Sequence, residues 1–392
     1  MPELQAAYLW YPMATQERPG SDFRMSQLRD FTCRAPQLTE LAIHRNPPIF
    51  DIDSVYAISA VASSLSSDTS STSPMGLRAL TWTAAPPKDI WRLFYVLAMP
   101  KLFELVLTLD SIDRRWLCLS GDTSASLGTQ DTLSCYALPQ VVQLLTLSRL
   151  CLECKDADAL SVALRRFSFP FLERLTLSYS GPESSHRSPM LPSIGKIFRE
   201  PRLAKLVDLE LRCFRLDAET VTTLAYTQSL ARLSIYNCTG ADVIICALSG
   251  NACDHQGAEL PVKWLCPNLK ELRLSYCSAV KFKCLEAVVR QRKADSIAVP
   301  TMPARAIRPL KRSVLAGPRS PATPKKIRMP FDGQEASASP NGSFVDGWRA
   351  HEVTRPTPIC TVHVLGCKRI SRAELFSLKD DEYGVESMSW CE

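Results

Sequence analysis

The protein has 392 residues, 46% of them hydrophobic and 22% charged, and its 46 Lys and Arg against 40 Asp and Glu give a net charge of +6. That balance supports a buried core and excludes an intrinsically disordered chain. No run of about eighteen apolar residues occurs, and the N-terminus lacks the basic flank and apolar core of a signal peptide, so the expectation is a cytoplasmic or nuclear protein with no membrane partner.

One spacing recurs along the chain: an apolar residue, a second three positions later, a third two after that. It reads Leu38/Leu41/Ile43, Leu77/Leu80/Trp82, Leu102/Leu105/Leu107, Leu147/Leu150/Leu152 and Leu172/Leu175/Leu177. It continues as Leu206/Leu209/Leu211, Leu230/Leu233/Ile235, Leu269/Leu272/Leu274 and Ile359/Val362/Val364, with a degraded copy, Leu4/Ala7/Leu9, at the start. Side chains two apart on a short strand point to the same face, so the last two residues of each triplet fill one core while their neighbours face out. The first residue enters from the preceding turn. Three positions past the last apolar residue stands a closing residue: Asn46, Cys238, Cys277 and Cys367 in the clearest copies, and Ala85, Asp110, Lys155, Ser180 or Phe214 elsewhere. A small side chain there can turn inward and bond loop backbone.

Residues 1–35 hold the degraded copy and a helical pattern at Met25, Leu28 and Phe31. The chain thus begins within the array without a polar cap, so a preceding segment is expected. Across 36–294 the triplets alternate with helices. Val55–Val61 reads as one, followed by a Ser/Thr-rich loop from Ser63 to Ser73; Asp89–Leu97 reads as the next, and Ser120–Ser134 as a polar loop. The patterns from Asp156 to Phe167, from Asp217 to Leu224 and through Leu285, Val288 and Val289 give further helices, two of them with acidic starts. Residues 295–351 carry eight prolines and few large apolar side chains, so a disordered insertion is expected. Residues 352–392 return to a strand at Ile359–Cys367 that would finish the sheet, then a helix from Ser371 through Leu378.

The stretch Cys266-Pro-Asn-Leu-Lys-Glu-Leu-Arg-Leu-Ser-Tyr-Cys277 matches the strand signature of a leucine-rich repeat. Spacings near 25 residues between successive copies fit a strand-turn-helix unit. The expected fold class is therefore α/β, a curved leucine-rich-repeat solenoid with parallel short strands on the concave face and helices on the convex face. With Cys238 and Gly366-Cys367-Lys-Arg-Ile-Ser following the same pattern, the chain resembles the cysteine-containing repeats of F-box proteins, and its irregular loops are similar to those of F-box-like proteins of mushroom-forming fungi. The resemblance implies the substrate receptor of an SCF-type ubiquitin ligase, in which an F-box binds a Skp-type adaptor linked to cullin and the repeats hold the target. No Leu-Pro-rich F-box segment stands ahead of the repeats, so adaptor and cullin are expected partners only through an equivalent of it.

Alternation names the outward pairs: Glu40 and Ala42, Glu104 and Val106, Arg174 and Thr176, Asp208 and Glu210, Arg232 and Ser234, Glu271 and Arg273, Thr361 and His363. Glu104, Arg174, Asp208, Glu210, Arg232, Glu271, Arg273 and His363 are the candidate protein-binding residues. The insertion holds Arg305, Arg308, Lys311, Arg312, Arg319, Lys325, Lys326 and Arg328, with no acidic residue from Ser296 to Phe331, so the rest of the chain carries a small net negative charge. Lys311, Arg312, Lys325, Lys326 and Arg328 form a basic loop, read as a solvated loop, a nuclear localisation signal, or a contact for nucleic acid or an acidic partner, with nucleic acid the less favoured. Ser320-Pro321 and Thr323-Pro324 have the form of proline-directed phosphorylation sites.

The fifteen cysteines read as reduced thiols, several of them buried and behaving as small hydrophobes. Cys151-x-x-Cys154 falls on a repeat strand with no second pair at ligand spacing, and His255 beside Cys253 falls in a polar loop, so no metal site is expected. No nucleophile-base arrangement and no phosphate loop is visible; the expectation is a binding protein, with no cofactor and no enzymatic activity. A stand-alone repeat scaffold, or a nuclear protein acting through the basic loop, are the alternatives to the ligase reading.

Overall fold

The computed structural model describes residues 3–10, 24–44, 50–51, 76–97, 99–112, 118–119, 141–181, 188–199, 203–250, 264–297, 355–380 and 382–392. The chain divides into two units, Met1–Ile297 with Arg355–Glu392, and Ala298–Thr354; the elements below belong to the first. In chain order they are β1 (Ala6–Trp10), α1 (Met25–Arg34), β2 (Glu40–His44), β3 (Phe50–Asp51), β4 (Ala79–Ala85), α2 (Ile90–Val96), β5 (Glu104–Leu109), β6 (Cys118–Leu119), β7 (Val142–Gln143) and β8 (Arg149–Cys154). They continue with α3 (Ala157–Leu164), β9 (Phe167–Ser168), β10 (Arg174–Tyr179), α4 (Ile194–Ile197), β11 (Asp208–Arg212), α5 (Ala218–Leu224), β12 (Arg232–Tyr236) and α6 (Ala241–Leu248). The last are β13 (Glu271–Ser275), α7 (Phe282–Ile297), β14 (Thr361–Leu365), α8 (Arg372–Ser377) and β15 (Ser387–Cys391). The expected helix at Val55–Val61, the loops at Ser63–Ser73 and Ser120–Ser134, Asn46, His255 and the basic loop lie outside the described residues.

The fold is α/β. Eleven strands make one sheet in the order β1-β2-β4-β5-β8-β10-β11-β12-β13-β14-β15, every neighbouring pair parallel. Its register lines up the apolar triplets. Leu41, Leu80, Leu105, Leu150, Leu175, Leu209, Leu233, Leu272 and Val362 form one row, and Ile43, Trp82, Leu107, Leu152, Leu177, Leu211, Ile235, Leu274 and Val364 a second. Both rows are buried, as is the residue that leads into each strand, from Leu38 to Ile359. Ala7 and Leu9 of the degraded copy pair with Leu41 and Ile43.

The strands also begin alike. In each of the ten neighbouring pairs, one carbonyl just ahead of a strand accepts two successive N–H groups from the next: Phe103 from Ser148 and Arg149, Val207 from Ala231 and Arg232, Lys270 from Cys360 and Thr361. This shared entry pins the register, since a slip of one residue would turn every leucine outward.

Three helices start where the sequence supplies a cap. Asp156 accepts from the N–H of Asp158 at 3.0 Å, Asp217 and Thr220 form a capping box, and so do Ser371 and Glu374. α6 starts after Gly240, at φ 75°, where an added Cβ would lie 2.1 Å from the Leu216 carbonyl oxygen, so only glycine fits. Helix residues such as Ala159, Leu160, Ile244, Ile245, Leu285 and Val289 join the strand rows in one apolar cluster. Phe94, Phe167, Phe169 and Phe198 extend it as a chain of ring contacts 5.1–5.9 Å apart.

Two expectations need correction, and the closing residues differ among the strands. β14 does not finish the sheet: β15 pairs in parallel beyond it, Val362 opposite Met388 and Val364 opposite Trp390. Ala42 is not an outward contact residue but is buried, a methyl group set in register between Tyr8 and Thr81. Nor do all closing residues turn inward. In β5 and β8 the inward position comes one residue earlier, at Leu109 and Cys154, and Tyr179 is packed in the matching place of β10, which leaves Asp110, Lys155 and Ser180 at the surface.

In β11 to β14 the exit takes another form. Cys213, Asn237, Tyr276 and Gly366, each just past its strand, have φ of 62°, 48°, 56° and 60°. The left-handed turn aims each N–H forward, to the carbonyls of Tyr236, Ser275, Leu365 and Cys391 at 2.7–2.9 Å. The next side chain, Phe214, Cys238, Cys277 or Cys367, is then buried. The three thiols donate back to the preceding strand, to the carbonyls of Leu211, Ile235 and Leu274 at 3.5, 3.5 and 3.7 Å.

Arg292 of α7 ties together the two chain segments of the first unit. Fully buried, it donates to the carbonyls of Leu265, Cys266, Pro267 and Thr357 at 2.8–3.2 Å and lies 5.7 Å from the centre of the Trp264 ring. Burial lowers its pKa to about 10, and the carbonyls take the place of a counter-ion.

Candidate functional site

The pleat that buries the two leucine rows turns three other rows outward. One runs Glu104, Arg149, Arg174, Asp208, Arg232, Glu271 and Thr361; the next runs Val106, Cys151, Thr176, Glu210, Ser234, Arg273 and His363. The third carries Glu153, Ser178, Arg212 and Tyr236. All eight candidate residues lie on this face, exposed or half-buried.

Most of them hold one another. Arg232 reaches Asp208 at 3.1 Å, Arg212 reaches Glu210 at 2.8 Å, and Thr176 donates to Glu210 at 3.4 Å. Glu271 takes Arg273 from its own strand and His363 from the next, the latter at 3.5 Å, and His363 also hydrogen-bonds Ser389. Glu104 lies 4.0 Å from Arg149, whose guanidinium sits 5.3 Å from the centre of the Phe103 ring. Arg174 makes no ion pair among the described residues and is exposed. Exposed pairs of this kind stabilise a fold by no more than about 1 kcal/mol. They do fix where each charge stands.

Sequence reasoning missed Arg149, Arg212, Tyr236 and Tyr276. Arg149 was legible by the same alternation in the Leu147 copy, and Arg212 and Tyr236 by carrying it two residues further. Tyr276 was not, because it faces out only through its left-handed backbone. Tyr236 and Tyr276 are 38% and 45% exposed, with ring centres 5.3 Å apart in an edge-on arrangement, and Arg212 lies 5.8 Å from the centre of the Tyr236 ring. At the opposite edge of the sheet, Tyr8 and Trp10 are more exposed still, and Trp10 packs on His44 at 5.5 Å.

Cys151 and Cys154 share no ligand position. Cys151 faces outward and Cys154 is buried in the apolar layer, where desolvation pushes its thiol up to about 12. Burial likewise raises Cys238 to about 12. Cys277 is pushed up by its hydrogen bond with Cys367 and by burial. Among the described residues no group of three His, Cys, Asp or Glu side chains is placed to hold a metal ion, and no helix is long and apolar enough to cross a membrane. No protein-family model matches the sequence, and a search of curated proteins finds no match.

Proposed function

We propose that this chain is a protein-interaction module of the cysteine-containing leucine-rich-repeat type, and that it serves as the substrate-recognition part of an F-box-like adaptor in an SCF-type ubiquitin ligase. The observation that carries the binding role is the contrast between two faces of one sheet. The inner face is filled row by row with leucine, while the outer face is a mosaic of charges and small polar groups whose directions the pleat fixes. A surface of that kind discriminates between partners more than it adds stability.

The repeat assignment is supported by the common offsets, the shared strand entry and the inward thiols of Cys238, Cys277 and Cys367. In a solenoid each repeat buries its face only against its neighbours, so the strands line a concave binding surface and the helices the convex side. Arg174, at the centre of the outer face and in no ion pair among the described residues, and the paired Arg232 and Glu271 beyond it are its main contacts.

Affinity capture of the full chain from host lysate, read for Skp-type adaptor and cullin, tests the ligase role. Their recovery supports it. Specific recovery of other proteins without them leaves an interaction scaffold and removes the ligase role.

A further inference from the structure

The turns that follow β13 and β14 are neighbours at one end of the sheet, because the two strands are parallel and paired. From Tyr276 to Lys281 and from Gly366 to Ser371 they contain no acidic residue. They and the start of α7 present Lys281, Lys283, Lys368 and Arg369, all exposed and none in an ion pair among the described residues. The nearest following carboxylates are already engaged. Glu286 accepts from Arg290 and Tyr383, and Glu374 accepts from Ser371 at the start of α8. Asp242, at the start of α6, and Glu392, just past β15, stand on either side of these two turns in strand order.

The same strip carries the exposed tyrosines. The Tyr276 ring lies against the bare backbone of Gly366, where an added Cβ would meet its Cδ1 at 2.5 Å, and it meets the Tyr236 ring in an edge-on arrangement. Buried tyrosine surface beside cations is the composition of an interface anchor. Here both rings stay partly exposed, and the four cations make no ion pair among the described residues.

We propose that this rim docks an acidic segment of a partner protein, with Tyr236 and Tyr276 as apolar anchors and Lys281, Lys283, Lys368 and Arg369 as the charge complement. The proposal rests on the protein-interaction reading and gives it a partner class. Single-stranded nucleic acid would also be drawn to cations and rings, but base stacking needs open ring faces. The Tyr276 ring is packed on Gly366 and against the Tyr236 ring, so it is not an open stacking platform.

The test is fluorescence anisotropy on the full chain with a labelled Asp/Glu-rich peptide carrying a central Leu-Phe pair. The comparison probes are the same peptide with Asn and Gln in place of its acids, and single-stranded poly(U). Tyr276→Gly removes the ring while suiting the left-handed backbone, and Lys368→Glu with Arg369→Glu reverses the charge on two exposed positions; circular dichroism checks that both variants fold. The acidic peptide is expected to bind more tightly than its amide counterpart, to weaken with added salt, and to lose about tenfold or more in each variant. Equal binding of the acidic and amide peptides, or wild-type affinity in both folded variants, overturns the proposal, and so does tighter binding of poly(U). If a variant does not fold, the two peptides compared on the wild-type chain still decide. Arg174→Glu, far from the rim in strand order, separates the two readings: a rim that fails to bind peptide while Arg174→Glu abolishes partner capture overturns the rim alone.

Discussion

β5, β8 and β10 leave the sheet in a different way from β11, β12, β13 and β14, although all of them enter it through the same two-donor carbonyl contact. In the first group no residue at the exit has a positive φ. The N–H past β5 and the one past β10 donate backward, Asp110 to Ala85 at 3.0 Å and Ser180 to Cys154 at 2.8 Å. In the second group a left-handed residue turns the N–H forward and brings the following side chain inward. A left-handed non-glycine residue costs about 1 kcal/mol or more, which the forward hydrogen bond and the buried thiol or ring offset. The lesson is that stacking requires the entry contact and the two apolar rows, whereas the exit is free to carry other chemistry. The C-terminal strands use that freedom to bury thiols and to expose Tyr276.

The largest effect expected is at Arg292, a buried arginine with no counterpart in the first group among the described residues. Arg292→Met takes the guanidinium away from four carbonyls, of which Cys266 and Pro267 keep a backbone N–H donor while Leu265 and Thr357 lose theirs, and is expected to cost about 3 kcal/mol, read as a lowered urea midpoint. A loss under about 1 kcal/mol would mean that the C-terminal strands do not depend on this tie. Next is Gly366→Ala, expected to cost about 1–3 kcal/mol because φ is 60° and the new methyl meets the Tyr276 ring. Ser180→Ala, at an exit of the other kind, is expected to stay within about 0.5 kcal/mol; equal effects would erase the distinction.

A change of sign sharpens it further. Asn237→Gly relieves a left-handed residue and is expected to be neutral or stabilising by a few tenths of a kcal/mol, whereas Ser178→Gly, in the extended end of β10, is expected to cost about 0.5–1 kcal/mol. Thermal melts of both variants against wild type decide the sign.

The smallest effect is a slope with pH, and here the two regions should agree, because each buries a thiol. The pKa values of Cys154 and Cys238 are raised to about 12 in the folded chain, so their stabilisation is fully present below the ordinary thiol value near 9. As pH rises from about 9 toward 12 the unfolded chain loses protons that the folded chain keeps, and stability falls. Cys154→Ala and Cys238→Ala are each expected to flatten the urea midpoint against pH in that window. A slope unchanged in both would show that the thiols are not held as described.

The core was legible because the leucine triplets obey one rule without exception from Leu38 to Val364. Val385/Met388/Trp390 follows the same three-then-two spacing, but with Met and Trp in place of aliphatic residues, so β15 was missed. The exits were half legible. Cys238, Cys277 and Cys367 announce themselves, yet nothing in Cys213 or Tyr276 marks a left-handed residue, as the glycine at 366 does. Arg292 was hidden altogether, since its partners are backbone carbonyls brought together from positions 265 to 357. The outward charges followed from the alternation, but their pairing, such as Arg212 with Glu210 rather than with a neighbouring strand, depends on side-chain reach.

The most direct measurement is quantitative affinity capture from host lysate with the wild-type chain and with Arg149→Glu combined with Arg174→Glu, which places two acids between Glu104 and Asp208 on the outer face. The predicted result is loss of the captured target proteins by a variant that still folds cooperatively, with a urea midpoint lowered only modestly by the row of four acids. The same proteins recovered in the same amounts by the folded variant would contradict a binding role for this face of the sheet.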